Sequence, residues 1–359
     1  MRNQQIPVMK PQLPKFKHVK KYVHAIDKSR IYSNYGSLVE KLEYRFAEYL
    51  GIDKNLVVLC ANATLAIQGA AYLMPVTKFE APAYTFPASL SGVLNTGKDI
   101  ELLDINLDDW KIDAGLENEN TGLVEVLPFG APLRMQDNEN WNYKIIDAAA
   151  SIGAGEHSFE RMGKNWVTIF SLHATKIMGI GEGGIAVFAS KNFAEEFRSW
   201  INFGFSGSRN SKVIGINAKM SELTAAYGHV VLDNWGKEKR EREILKSKIN
   251  KVSKALNIES ITNSYPGVNP YWMAQFKDPQ ATRNIETILK QNNIETRRWW
   301  SFGCHKMPAF SAMSTGKEFP NTNIVAETSL GLPLFIDMTN QQIFKIQNSI
   351  RSILESNNS

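Results

Sequence analysis

Short apolar runs rich in β-branched residues recur over about the first 190 positions and alternate with segments of helical periodicity. A strand buried on both faces reads as a continuous apolar run, and strands that alternate with helices form parallel sheets. The pattern therefore predicts an α/β fold with a mostly parallel, seven-stranded sheet sandwiched by helices. The predicted strands are 56–59, 79–81, 100–103, 123–127, 144–146, 167–170 and 185–188.

Helical spacing of apolar residues fills the intervals between these runs and continues beyond them. The polar stretch GKEKREREILKSK after Trp235 is typical of a solvated helix that leads out of the sheet, and a smaller α+β pattern follows it. We expect an N-terminal arm and large domain over 1–245 and a small C-terminal domain over 246–359. The predicted helices are 37–49, 64–73, 193–201 and 221–234, with two more near 284–292 and 341–354.

The 359 residues are 43% hydrophobic and 21% charged, which is typical of a soluble globular protein. The net charge of +5 is concentrated at the N-terminus, where Asp27 is the only acidic residue in the first 30. The basic residues there are Arg2, Lys10, Lys15, Lys17, Lys20, Lys21, Lys28 and Arg30. The rest of the chain is close to neutral and offers no second basic surface for a phosphate backbone, which argues against a nucleic-acid partner.

Cys60 and Cys304 are the two cysteines, and neither has a CxxC partner, which indicates a reducing compartment and no zinc site. The N-terminal sequence lacks the apolar stretch of a signal peptide, and no window approaches the roughly 18 apolar residues that span a bilayer. We therefore expect a cytoplasmic protein with no membrane partner and no metal.

The residues directly after the predicted strands carry the candidate chemistry, because ligands of open α/β sheets bind beyond the carboxyl ends of the strands. After the first strand, Ala63 and Thr64 lie at a predicted helix N-terminus, whose free N–H groups and dipole suit a phosphate. A simple N-cap by Asn62 or Thr64 is the alternative. After the second strand, Phe86 or Tyr84 is placed either to stack on a planar cofactor or to pack in the core.

Two further strand ends carry ionisable groups. Asp147 ends the fifth run and precedes three alanines; a buried carboxylate there needs a cationic or hydrogen-bonding partner, or it caps the next helix. Lys176 lies between the sixth and seventh strands in FSLHATKIMGIGEGG, where close-packed small residues favour the neutral amine that forms a Schiff base; a surface lysine is the alternative. A phosphate site, an aromatic ring, an acid and a lysine together indicate pyridoxal 5′-phosphate (PLP).

Over nearly its whole length the chain resembles the DegT/DnrJ/EryC1/StrS family of PLP-dependent nucleotide-sugar aminotransferases, which have the fold-type I architecture. The matching stretches are YSNYGSLVEKLEYRFAEYLG, NATLAI, APAYTF, the PFGAP loop, IIDAAASIGA, FSLHATKIMGIGEGG and GINAKMSELTAA. Within the family, HATK, EGG, NFGF and GINAKMSE are most like the enzymes that aminate a dTDP-linked 4-keto-6-deoxyhexose. A C3-keto sugar remains open.

The resemblance implies a role for each candidate residue. Lys176 forms the Schiff base with PLP and later moves a proton, and Asp147 is the partner of the pyridinium nitrogen. Asn217 reaches the phosphate of the neighbouring subunit's cofactor, which implies a homodimer with shared active sites. The other implied cofactor contacts are Ala63, Thr64 and Ser171 for the phosphate and Phe86 for the ring.

For the substrates the resemblance implies L-glutamate as amino donor and a nucleotide-linked keto-sugar as acceptor, in aminosugar biosynthesis for surface polysaccharide such as lipopolysaccharide O-antigen. The candidate substrate contacts are Tyr32, Asn34, Lys219, Arg298 and His305. A PLP-dependent sugar dehydratase or lyase is one alternative, although the His that replaces the lysine in such dehydratases is absent here. A non-catalytic PLP-family regulator is another.

Three positions depart from the family pattern. Ala150 stands where relatives place Gln or His near the cofactor's ring hydroxyl, which leaves the partner of that hydroxyl unidentified. Either the hydroxyl bonds only to the Schiff-base proton or to water, or Ser151 or another side chain contacts it. Ala63 replaces a glycine, which the backbone tolerates where φ is negative. Lys219 replaces a frequent arginine and keeps the charge without the bidentate fork.

Overall fold

The computed structural model describes residues 5–114, 120–134, 141–155 and 157–356, and Arg2 of the basic N-terminal segment lies outside them. The α-helices are α1 (Phe16–Ser29), α2 (Ser37–Leu50), α3 (Ala63–Leu73), α4 (Pro87–Leu94), α5 (Lys191–Trp200), α6 (Glu222–Ala255), α7 (Ile261–Ser264), α8 (Pro279–Gln291), α9 (Pro320–Thr328) and α10 (Asn340–Ser356). The strands are β1 (Val57–Cys60), β2 (Lys78–Pro82), β3 (Asp99–Leu103), β4 (Thr121–Val126), β5 (Tyr143–Asp147), β6 (Asn165–Ser171), β7 (Gly184–Phe188), β8 (Trp272–Gln275) and β9 (Ser329–Leu332).

Strands β1 to β7 form one sheet in the order β1-β7-β6-β5-β4-β2-β3, which confirms the seven predicted strands and the mostly parallel sheet. Strands β2 to β6 are parallel to one another, whereas β7 runs antiparallel to both β1 and β6. Parallel neighbours need a long crossover, usually a helix. The loop 172–183 between β6 and β7 contains no helix, and β7 therefore returns alongside β6.

Apolar side chains on the two faces of the sheet form two separate cores. In β1, Val58 packs into the core under α3, α4 and α5, whereas Val57 and Leu59 pack into the core under α1, α2 and α6. This alternation follows from the two-residue period of a strand. The helices on both faces leave the carboxyl edge of the sheet open to ligands.

Helix α6 carries the chain out of the sheet region. Ser221 caps it by accepting the Thr224 N–H at 3.1 Å, and the helix then continues unbroken for 34 residues instead of ending near 234. In its polar half, Arg242 pairs with Glu238 one turn earlier at 2.6 Å. Its last turns enter a third core, beneath the β8–β9 hairpin, to which α8 and α10 also contribute.

Ile6 of the N-terminal segment also belongs to this third core and pairs with Ile294. In helix α1, Lys21 forms an ion pair with Asp233 of α6 at 3.0 Å, so this part of the basic segment is held against the body of the protein. The division into domains at 245 stays a prediction. Among the described residues, no helix is both long and apolar enough to cross a membrane.

Candidate active site

The carboxyl ends of β1, β5 and β6 meet at one edge of the sheet, and the residues that follow them contact one another. The Ser171 N–H at the end of β6 donates to the Ala149 carbonyl just after β5, at 3.3 Å. Ser171 also pairs with Gly184 across the sheet. A Cβ added to Gly184 would lie 2.7 Å from the carbonyl carbon of Asn62, so only glycine lets the N-terminus of α3 come this close.

Asp147 ends β5 inside this cluster and is 6% exposed. One carboxylate oxygen accepts the Ser89 hydroxyl at 2.6 Å, and the other accepts the Ala149 N–H at 3.1 Å. Burial raises the pKa of Asp147, and the hydrogen bonds and the charge of Lys176 only partly oppose this effect. Within the described ranges, no Lys or Arg forms an ion pair with Asp147, and the side chain accepts hydrogen bonds from neutral donors.

Lys176 lies in the loop 172–183 between β6 and β7. Its N–H donates to the His173 carbonyl at 2.8 Å, which closes a turn of the loop. Its half-buried Nζ donates to the Tyr271 hydroxyl at 2.9 Å, and its charge acts on Asp147. The structure thus brings together the acid and the lysine that two separate strand ends indicated.

The N-terminus of α3 is capped by Asn62, and a phosphate site there stays a prediction. Asn62 caps the helix, because its side-chain oxygen accepts the Leu65 N–H at 2.9 Å. Ala63 and Thr64 are the first residues of the helix, and N–H groups there have no acceptor within it. Ala63 is not among the residues with positive φ, so the missing glycine causes no strain.

The two aromatic candidates after β2 differ in exposure. Tyr84 is 2% exposed, and its hydroxyl pairs with that of Ser329 at 3.1 Å. Phe86 precedes the first turn of α4 and is 55% exposed. The Phe86 ring is therefore the one of the two that is available to a ligand.

The segment 217–220 crosses the carboxyl end of β1, where Lys219 pairs with Cys60. The Lys219 Nζ is buried with no hydrogen-bond acceptor among the described residues and lies 4.5 Å from the Phe203 ring centre. Burial lowers the pKa of Lys219. Asn217 is exposed.

Tyr32 and Asn34 lie in the exposed loop between α1 and α2. The Tyr32 carbonyl accepts the Glu222 N–H at 3.0 Å, which attaches this loop to the start of α6, directly after the segment that carries Lys219. The structure therefore places these candidates beside each other, although they are far apart in sequence.

Arg298 and His305 are held by the C-terminal part of the chain. The Arg298 guanidinium donates to the Ala326 carbonyl at 2.8 Å and pairs with Glu286 at 3.2 Å. His305 is buried, with Nε2 at 3.1 Å from the Asn323 side-chain oxygen. None of these contacts reaches Lys176, and a role for either residue in substrate binding stays a prediction.

Comparison with known proteins agrees with this arrangement. The family model for the DegT/DnrJ/EryC1/StrS aminotransferases matches residues 15–351. The chain belongs to this family. It is therefore a PLP-dependent sugar aminotransferase. The predicted fold-type I architecture is confirmed.

Relatives of this sugar aminotransferase are similar over their full length at modest identity. The dTDP-4-amino-4,6-dideoxy-D-glucose transaminase of Shigella dysenteriae is 26% identical over 96% of this chain and 98% of its own. The GDP-perosamine synthase of Vibrio cholerae is 24% identical over 97% and 98%. A putative PLP-dependent aminotransferase from Bacillus cereus, known from a crystal structure, is 25% identical over 97% and 100%, with a TM-score of 0.86.

Reasoning from the sequence missed three residues of the aminotransferase site. Ser89 donates to Asp147, and the Thr85 hydroxyl lies 2.8 Å from that of Ser89; the sequence indicated only an aromatic residue at this strand end. A signal was present, since both follow β2 in PAYTFPAS. Tyr271 had no local signal, because it comes from a segment 95 residues after Lys176.

Proposed function

We propose that this aminotransferase moves the amino group of L-glutamate to a nucleotide-linked keto-deoxysugar, with dTDP-4-keto-6-deoxyhexose as the first candidate and a C3-keto sugar as the second. The observation that carries the proposal is the buried Asp147 beside the loop of Lys176. Aminosugar synthesis for a surface polysaccharide such as O-antigen is the proposed pathway. The proposed compartment is the cytoplasm, where Cys60 and Cys304, both free and buried, stay reduced.

Each functional group of PLP has its own proposed contacts in the site. Asp147 takes the ring nitrogen, because a buried carboxylate with only neutral donors is completed by a protonated pyridine. Lys176 takes the aldehyde carbon. The exposed Phe86 ring covers one face of the cofactor, and the phosphate lies on the N–H groups that begin α3 and on the Ser171 hydroxyl. The proposed phosphate contacts are Ala63, Thr64 and Ser171.

When it is bound, PLP supplies a protonated ring that takes up the electrons released at the amino-acid carbon. Asp147 keeps the proton on the ring nitrogen, since a nearby negative charge favours the protonated form. The Lys176 amine moves a proton at the reacting carbon as general base and then as general acid. Phe86 keeps water from the ring face that it covers.

The homodimer is the next part of the proposal, with Asn217 of each subunit at the partner's phosphate. The segment that leads to Asn217 is rich in exposed apolar side chains, with Ile214 at 83%, Phe203 at 45% and Val213 at 36% exposure. Exposed apolar side chains grouped in one segment are typical of protein interfaces. Contact with a second subunit would cover it and bring Lys219, Tyr32 and Asn34 to the substrate.

An isotope experiment tests the reaction. The purified enzyme is incubated with PLP, ¹⁵N-labelled L-glutamate and a panel of dTDP- and GDP-linked keto-sugars, and the products are analysed by mass spectrometry. We expect ¹⁵N in one sugar and an equal amount of 2-oxoglutarate. A sugar that loses a hydroxyl without gaining nitrogen would instead identify a dehydratase, and no turnover on any sugar would favour a regulator.

Subunit mixing tests the shared site. Lys176→Ala and Asn217→Asp enzymes, each inactive alone, are exchanged into heterodimers that contain one intact site. Partial recovery of activity is expected. Absence of recovery, despite measured subunit exchange, contradicts the contribution of Asn217 in trans.

A further inference from the structure

The hydroxyl of Tyr271 has an unused proton next to the amine of Lys176. In the 2.9 Å contact the ammonium group donates and the phenol oxygen accepts. The phenol proton is therefore left over, and no acceptor for it is found in the described part of the chain. An acceptor that arrives with a ligand can use this donor.

The Tyr271 side chain is fixed from several directions. It is 9% exposed, and its ring meets Phe129 edge to face at 5.5 Å and Trp299 at 5.0 Å. The Tyr271 N–H donates to the side-chain oxygen of Asn269 at 3.2 Å, whose amide in turn donates to the Thr262 carbonyl at 3.2 Å. A hydroxyl held in this way is preorganised, because little side-chain freedom remains to be lost.

Position 150 lies close to the segment that carries Tyr271. A Cβ added to Gly130 would lie 3.2 Å from the Ala150 carbonyl oxygen and 2.8 Å from the Asn269 Cβ, so residues 150 and 269 flank the same glycine. The methyl group of Ala150 can donate no hydrogen bond. The Ser151 hydroxyl next to it is buried and makes no contact with Lys176 among the hydrogen bonds of the described residues.

We infer that Tyr271 is a positioning residue that donates its hydroxyl proton to the ring oxygen of PLP. This inference rests on the proposed link between Lys176 and the cofactor. The ring hydroxyl of PLP is on the carbon next to the one that bears the aldehyde. A donor within hydrogen-bond distance of the Lys176 nitrogen is therefore within reach of that oxygen. The C-terminal part of the chain thus supplies a contact that Ala150 cannot make.

Loss of the Tyr271 hydroxyl should shift the pH titration of cofactor absorbance in a defined direction. The ring oxygen of bound PLP holds the proton on the Lys176 nitrogen, and a second donor to that oxygen weakens this hold. Tyr271→Phe removes the donor and keeps the ring packing. The midpoint of the pH titration of cofactor absorbance should then rise by about one pH unit, as expected for one hydrogen bond to a charged oxygen.

Tyr84→Phe is the matched control, because it also removes a buried hydroxyl from the aromatic cluster but one that pairs with Ser329. It should leave the midpoint unchanged. An unchanged midpoint in Tyr271→Phe, or an equal rise in both variants, overturns the inference.

Position 150 offers a rescue. Ala150→Gln should restore the parent midpoint in the Tyr271→Phe background and change it much less in the parent, because the oxygen there already has its donor. Equal changes in the two backgrounds contradict the inference. If Tyr271→Phe binds PLP poorly, recovery of PLP occupancy on adding Ala150→Gln supports the inference, and no recovery contradicts it. A parent enzyme that shows no PLP trapped on Lys176 by borohydride overturns the proposed function itself, which is a separate outcome.

Discussion

Two buried carboxylates on neighbouring strands, Glu125 of β4 and Asp147 of β5, have opposite electrostatic surroundings. Glu125 is 7% exposed and pairs with Lys144 at 2.5 Å and Lys111 at 3.4 Å. Burial alone would raise the pKa of Glu125, but the two positive charges outweigh it and lower the pKa. Asp147 is equally buried, receives neutral donors only, and has a raised pKa.

This difference in surroundings indicates a structural role for the charge of Glu125 and supports the proposed cofactor contact of Asp147. The protein itself supplies the positive charges that pair with Glu125. One of them, the Lys144 ammonium, also lies 4.4 Å from the Trp166 ring centre. A buried charge without an ion pair is costly, and the neutral donors and the charge of Lys176 offset this cost for Asp147 only in part. The carboxylate without an ion pair lies at the carboxyl edge of the sheet, where the cofactor is proposed to bind.

The largest expected effect follows from removing the residue proposed to hold the cofactor. Lys176→Ala should lower turnover more than about a thousand-fold and abolish the cofactor that borohydride traps on the protein. Lys144→Met, which leaves Glu125 with one partner fewer, should instead destabilise the fold by about 3 kcal/mol and keep trapped PLP. Normal turnover in Lys176→Ala would exclude Lys176 as the cofactor lysine.

Neutralising Asp147 should lower turnover, whereas neutralising Glu125 should lower stability. Asp147→Asn should lower turnover by on the order of 100-fold and leave the unfolding free energy of the cofactor-free protein unchanged or higher. Glu125→Gln should cost about 3 kcal/mol of stability, because it leaves the buried Lys144 and the partly buried Lys111 without their carboxylate, with turnover per folded molecule retained. Denaturant unfolding and assays on the same samples measure both, and equal destabilisation by the two variants contradicts the comparison.

The apolar runs predicted the seven strands because burial on both faces of a sheet leaves a strong signal in each strand. The direction of β7 left no such signal, since burial is the same whichever way a strand runs. Its antiparallel course depends on the short loop that contains Lys176. Likewise, the polar sequence after Trp235 indicated a solvated helix but not that it continues α6 without a break. The first turns of this stretch are polar and are held partly by pairs such as Glu238 and Arg242.

For the site, the sequence was informative where a residue directly follows a strand. Asp147 was found in this way, and Lys176 was found in the loop after the next strand. The aromatic candidates Phe86 and Tyr84 were found similarly, and their exposure shows that only Phe86 is open to a ligand. Tyr271 was not found, because its closeness to Lys176 arises from packing of the C-terminal part against the sheet edge. Whether Arg298 and His305 contact substrate was also beyond the sequence, since their hydrogen bonds depend on neighbours such as Asn323.

A smaller effect concerns the neutral donor of Asp147. Ser89→Ala removes the 2.6 Å hydrogen bond to the carboxylate. It should weaken PLP binding about five-fold, which corresponds to roughly 1 kcal/mol for one hydrogen bond. Thr85→Val, which keeps Ser89 in place, is the control and should have less effect in a PLP titration. A larger loss in Thr85→Val would show that the hydroxyl pair acts on the cofactor in some other way.

The smallest expected effect is on the pH dependence of stability in the cofactor-free protein. The pKa of Asp147 is raised above its ordinary 3.8, so stability relative to Asp147→Asn should fall as pH rises through the range above 3.8. The pKa of Glu125 is lowered below its ordinary 4.5, so stability relative to Glu125→Gln should rise as pH increases towards 4.5 and should be fully present above it. Unfolding curves between about pH 3 and 6 give both slopes, and slopes of the same sign count against the comparison.

Asp147 has no ion pair in the free protein because, as we propose, the ring nitrogen of the cofactor completes it. NMR of enzyme loaded with PLP that carries ¹⁵N in the ring tests this proposal. We expect a protonated ring nitrogen in the parent enzyme at neutral pH and an unprotonated one in Asp147→Asn. The same nitrogen signal in both proteins would contradict it.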